Sequence, residues 1–89
     1  MNALPILGEF LGTFLLMMSI LATGNAIAIG LTLTFVVFLL GGVSGAHVNP
    51  AVSLVILLKG AISIAEFFVY ILAQCAGAVA AYYAYNVLV

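Results

Sequence analysis

Apolar residues fall into four segments separated by short polar or small-residue breaks. The first segment, residues 4–23, is close to the roughly 20 residues a helix needs to cross a bilayer. Pro5 lies in its first turn, where the missing N–H costs little. Gly24-Asn25 is a turn signal, and a second apolar helix is expected over residues 26–43. The chain then turns small and polar through Ser44-Gly45-Ala46-His47-Val48-Asn49. Residues 50–58 are apolar again, but at 1.5 Å per residue they reach only about 13 Å, under half of a hydrocarbon core. Lys59-Gly60 closes this short helix, the lysine facing the negative end of the dipole and the glycine suiting C′. Residues 62–87 form the last segment, long enough to span with tilt. The pattern predicts an all-α membrane protein in one unit over residues 1–89. It has three transmembrane helices and one re-entrant half-helix, the latter preceded by a loop in the stretch 44–58.

Composition strengthens this. Of the 89 residues, 69% are hydrophobic and 3% charged, against about 25% charged in soluble domains. Such a chain would expose large apolar patches in water, so the lipid bilayer is its expected surrounding. The first segment begins without basic residues and is followed by further apolar segments, unlike a cleaved signal peptide. With a formal net charge of −1 and no basic cluster, nucleic acid is not an expected partner. Cys75 is the sole cysteine and forms no intrachain disulfide; it is expected to pack. No nucleophile, base and orienting group can be assembled from these residues, so no enzymatic activity and no cofactor are expected.

The half-helix carries the candidate chemistry. Asn49 followed by Pro50 reads as an N-cap and first helical residue. Its side-chain oxygen takes a first-turn N–H, which leaves its NH₂ group free to donate outward. Non-helical backbone at membrane depth is tolerated only inside protein or along a watery cavity. The carbonyls of Gly45, Ala46, His47 and Val48 therefore need either protein partners or water. A helix start near the midplane presents roughly half a positive charge to it, as in the broken helices of transport sites. An ordinary Asn-Pro turn on the membrane surface is the competing reading. The uncharged character of residues 50–58 argues against it, because surface helices normally show a charged face.

The stretch from Ser44 to Ser53, Ser-Gly-Ala-His-Val-Asn-Pro-Ala-Val-Ser, closely resembles the first Asn-Pro-Ala loop of the aquaporin and aquaglyceroporin (major intrinsic protein) family. Glu9-Phe10-Leu11-Gly12-Thr13-Phe14 resembles that family's first helix, and Tyr70 to Ala78 its third. Full-length members carry two such halves in inverted orientation, whereas this sequence contains one Asn-Pro-Ala. The resemblance implies a passive channel for water and small neutral solutes such as glycerol. It implies pore-lining by Asn49, Pro50, Ala51 and the loop carbonyls of residues 45–48. Glu9 and Gln74 would brace the loop, and by spacing Ile29 and Val52 would stand at the constriction, where relatives have an aromatic ring and, in the second half, an arginine.

Individual residues have competing readings. Glu9 in a membrane helix costs about 2.5–3.5 kcal/mol on insertion scales, so it needs partners. Loop bracing is favoured over a proton-carrying role in a small proton-coupled transporter. Thr13, four residues on, shares its face and is expected to join the same hydrogen bonds. His47 has no second histidine or cysteine pair to complete a metal site and reads as a structural loop residue. Glu66 stands in the first turn of the last helix, where relatives often carry arginine, as an interfacial charge. Gly8 with Gly12, and Ala73 with Gly77 and Ala81, are small-xxx-small pairs that allow close helix contact in lipid. Gly30 matches a glycine that meets its counterpart in the other half, which here would require a second chain. Tyr82, Tyr83 and Tyr85 suit an interfacial aromatic belt. The expected assembly is an antiparallel homodimer in the cell (plasma) membrane; an inactive channel fragment is the remaining alternative.

Overall fold

A computed structural model describes residues 2–89, and its regular elements are all helices: α1 (Ala3–Thr23), α2 (Ala26–Leu40), α3 (Pro50–Leu58) and α4 (Ile64–Leu88). Each start has a local cause. Asn2 and Asn25 accept from Leu4 N and Ala28 N at 3.0 and 2.9 Å, capping α1 and α2. Gly24, at φ 55°, closes α1 in the left-handed conformation that glycine adopts freely.

Two boundaries differ from the sequence expectation. Helix α2 ends at Leu40, not at residue 43, because the Gly41-Gly42 pair lets the chain tighten. Val43 N and Ser44 N both bond Leu40 O at 2.9 Å. Helix α4 starts at Ile64, not at residue 62, because Ser63 is its cap. Ser63 Oγ accepts from Glu66 N at 3.1 Å while Glu66 Oε1 accepts from Ser63 N at 2.9 Å. Glu66 thus has a definite role, the returning arm of a capping box.

Helix α1 lies between α2 and α4, and α3 leans on α4; α2 and α3 do not touch. The α1–α4 seam is close because Gly77 brings α4 onto the backbone of α1. A Cβ there would collide with Phe10 O. Gly12 works similarly, since a Cβ would come within 2.8 Å of Leu40 Cδ1 and Val48 Cγ1. Gly8 is buried in ordinary contact with Leu40, Val43 and Ser44, whereas Gly30 has nothing near it within the chain.

Polarity is inverted relative to a soluble protein. Glu9, Thr13, Ser44, His47, Ser53 and Gln74 are buried, while Ile27, Phe38, Leu58 and Leu72 lie on the outside. Helices α1 and α4 are each long and apolar enough to cross a membrane. An apolar shell around a polar interior is stable in hydrocarbon and not in water.

Candidate functional site

The site is the segment Ser44–Asn49 with the start of α3, held from behind by α1 and α4. Its anchor is Glu9, which is fully buried. Glu9 Oε1 accepts from Val48 N and Gln74 Nε2, both at 2.8 Å. Glu9 Oε2 accepts from Ser44 Oγ at 2.7 Å and His47 N at 3.1 Å. Every partner is a donor. The Ser44 hydroxyl itself accepts from Ala46 N at 3.1 Å, so its proton goes to Glu9. A carboxylate has about four lone-pair sites, and all four are used here.

The loop backbone follows from this anchoring. Gly45, Ala46 and Val48 have φ of 88°, 49° and 45°, left-handed conformations that cost an alanine or valine about 1–2 kcal/mol each. What they achieve is orientation. The N–H groups of Ala46, His47 and Val48 all turn inward to Ser44 and Glu9. Among the described residues, no hydrogen bond ends on the carbonyl oxygens of Gly45, Ala46, His47 or Val48. One edge of the loop is saturated and the other offers a run of acceptors.

A second layer fixes the half-helix. Gln74 Nε2 also donates to Ser53 Oγ at 3.0 Å, and Ser53 Oγ lies 2.8 Å from His47 Nδ1. Ser53 Oγ thus accepts from Gln74 and shares a hydrogen bond with the His47 ring, its direction set by the tautomer. The His47 ring also packs against Tyr70, with centroids 4.8 Å apart, and the Tyr70 hydroxyl donates to Ser44 O at 2.7 Å. Histidine therefore acts as a strut between loop and helix. Ser44, Ser53 and Tyr70 were not singled out from sequence. Tyr70 had a findable signal: it precedes Gln74 by four residues and shares its helix face.

Asn49 caps α3 by accepting from Ala51 N at 2.8 Å, and Pro50 follows at the first helical position. Asn49 is exposed, and its Nδ2 donates to no group among the described residues. Pro50, Ala51 and Val52 are exposed beside it. Thr13 departs from expectation. It is buried on the face it shares with Glu9, yet its hydroxyl has no hydrogen-bond partner and takes no part in the network. Ile29 is half-buried on the second helix, which does not touch α3, so Ile29 and Val52 do not meet within one chain.

The sequence has counterparts among known proteins. The sequence model of the family described as Major intrinsic protein matches residues 2–88. The glycerol uptake facilitator protein-like 6 of Lactiplantibacillus plantarum is 40% identical over 84 residues, covering 84% of this chain and 39% of that protein. The aquaglyceroporin AqpS of Rhizobium meliloti is 40% identical over 88 residues, covering 81% and 38%. Human aquaporin-1 is 46% identical over 56 residues, covering 63% and 21%. No solved structure matches the chain significantly. The chain spans about two fifths of the length of the first two relatives. With Glu9, Gln74 and the Asn49-Pro50-Ala51 tip gathered in one network, and with the match running over nearly every residue, this chain belongs to the major intrinsic protein family of membrane channels.

Proposed function

We propose that the chain is one half of a passive pore for water and small neutral solutes such as glycerol, completed by a second copy in inverted orientation. In this reading α1, α2 and α4 cross the membrane and α3 is a re-entrant half-helix whose tip reaches the midplane. The observation that carries it is the division of the loop into two edges. Glu9 and Ser44 take the N–H groups, which leaves four consecutive carbonyls without partners among the described residues. Such a row replaces the hydration of a solute moving past it. The Asn49 NH₂ group adds a donor at the end of the row, and the start of α3 adds about half a positive charge. Acceptors, then a donor, then a positive dipole form a path that suits neutral hydroxylic molecules and opposes cations.

A proton-coupled carrier built on Glu9 is less well supported. All four lone-pair sites of Glu9 are spent on holding the loop and Gln74, as a bracing residue requires. The test is osmotic swelling of liposomes containing only this chain. Swelling that is fast and indifferent to a proton gradient is expected. Flux that requires the gradient would transfer the reading to the carrier, and no flux at all would mark the chain as an inactive half.

A further inference from the structure

Helix α3 is apolar on every side but one. Its sequence, Pro-Ala-Val-Ser-Leu-Val-Ile-Leu-Leu, has a single polar side chain, Ser53, which is also its one buried residue. At about 100° per residue, Ile56 and Leu57 share the Ser53 face and are half-buried. Among the described residues α4 is the one helix that α3 touches. Leu54, Val55 and Leu58 lie on the outside. Apolar packing alone gives α3 little rotational preference. Lipid tails are as apolar as these side chains, so in a bilayer exchanging Ile56 and Leu57 for Leu54 and Val55 against α4 changes little.

Hydrogen bonding is directional and supplies what packing lacks. Gln74 Nε2 donates to Ser53 Oγ at 3.0 Å, and the same oxygen lies 2.8 Å from His47 Nδ1. One hydroxyl thus ties α3 to α4 on one side and to the loop on the other. Turning α3 about its axis would unpair three buried groups at once: the hydroxyl, the second Gln74 donor and the inner His47 nitrogen. In hydrocarbon each such group is costly. The tie also acts close to the tip. Ser53 N closes the first turn onto Asn49 O at 3.1 Å, so the residue held in place is bonded directly to the cap. Val52, one step back, is carried about 100° off the buried face, and both it and Asn49 are exposed.

We propose that Ser53 is the positioning residue that aims the α3 tip, Asn49 and Val52, at the solute path and so sets selectivity without touching solute, a role that rests on the reading of the chain as half of a pore. Water and glycerol fluxes measured on one liposome preparation of the full chain test it, because their ratio does not depend on how much protein has folded. Ser53→Ala keeps a good helix former and removes the tie. The glycerol-to-water ratio should rise about fivefold, the weight of one hydrogen bond, as Val52 leaves the constriction. Ser53→Thr restores the hydroxyl and should bring the ratio back. If both fluxes fall together in Ser53→Ala and the ratio stays at the parent value, Ser53 serves stability alone and the role is overturned. Should Ser53→Ala fail to fold, Ser53→Cys in a Cys75→Ala background carries the same test, since a thiol fills similar space with a weaker hydrogen bond. There too an unchanged ratio overturns the role. A readout without flux separates this role from the channel itself. With Cys75→Ala as background, a spin label at Val52→Cys should be mobile and one at Ile56→Cys restrained, and Ser53→Ala should erase the contrast. Contrast retained in Ser53→Ala overturns the aiming role whether or not the parent conducts. Contrast lost in a chain that conducts nothing keeps Ser53 as the pivot of α3 and sinks the pore reading.

Discussion

Glu9 Oε1 lies 2.8 Å from the backbone nitrogen of Val48, a contact that joins the first helix to the loop before α3 across 39 positions of sequence. It holds a β-branched residue at a φ of 45°, where an unsupported valine would not stay. The same carboxylate supports His47 N and, through Ser44, Ala46 N. Loop conformation is thus set by one side chain from α1.

Glu9→Gln tests that dependence. The amide keeps one oxygen and turns an NH₂ group toward two of the four donors. Loss of two charge-assisted bonds is expected to lower stability by about 3 kcal/mol. Unfolding in mixed micelles, followed by circular dichroism, measures it. A variant as stable as the parent would mean that the loop holds its own shape.

Asn49→Asp separates capping from donation. Aspartate still caps α3, but it offers acceptors only and adds a negative charge. Folding should be unaffected, while water permeability falls several-fold or a cation leak appears. If permeability and ion exclusion both match the parent, Asn49 does not face the permeating molecules.

The glycines divide by what surrounds them. Gly77→Ala places a methyl against Phe10 O and should cost about 1–3 kcal/mol by overpacking, seen as loss of the α1–α4 pair in thermal unfolding. Gly30 has open space around it in the chain, so Gly30→Leu should leave the monomer intact and weaken only association with a second copy. Equal behaviour of the two variants would remove the distinction.

Orientation has its own test. Lys/Arg bias sets which loops stay in the cytoplasm, and Lys59 is the only lysine or arginine. In a Cys75→Ala background, a cysteine at position 59 should be labelled by an impermeant reagent from both faces of a cell membrane. Labelling from one face only is incompatible with an inverted pair.

Much of this arrangement is legible locally. Apolar run length reveals the long helices, and Asn49-Pro50 marks the start of α3 because a cap and a proline at the first helical position are both set by adjacent residues. The start of α4 was equally readable. Ser63 followed three positions later by Glu66 is a capping-box signature, yet apolar Ile62 drew the expected boundary too early. What sequence spacing does not reveal is convergence. Ser44 and Gln74 reach Glu9 from 35 and 65 positions away; the close α1–α4 approach at Gly77 brings Gln74 there, and the packing of Leu40, Ser44 and Val48 against Gly8 and Gly12 brings the loop. Thr13 shows the limit of face-sharing arguments. Four residues from Glu9 places it on the right side of the helix, but its hydroxyl makes none of the bonds that position suggested.

Selectivity is the property in which this chain should depart most from its longer relatives. By spacing from Asn49, Ile29 stands where the resemblance puts an aromatic ring, and Val52 stands three residues after Asn49, where the second half of relatives carries arginine. The two do not meet within one chain, because α2 and α3 are apart; a constriction between them requires Val52 from the other copy. Two copies of this chain bring two valines and no arginine, since the sequence contains none. In the proposed pair the fixed positive charge and its hydrogen-bond donors would be absent from one wall, and a flat ring from the other. Pore diameter and lining groups set selectivity in such channels, so the constriction should be wider and more apolar. Glycerol should therefore pass readily beside water, and cation exclusion should fall to the half-helix dipoles, each about half a charge. Ile29→Phe restores bulk at one wall without touching the Glu9 network. It should lower glycerol uptake more than water flux, measured with proton leak on the same liposomes. Full exclusion of glycerol by the parent, together with no effect of Ile29→Phe, would place the constriction elsewhere in the pore.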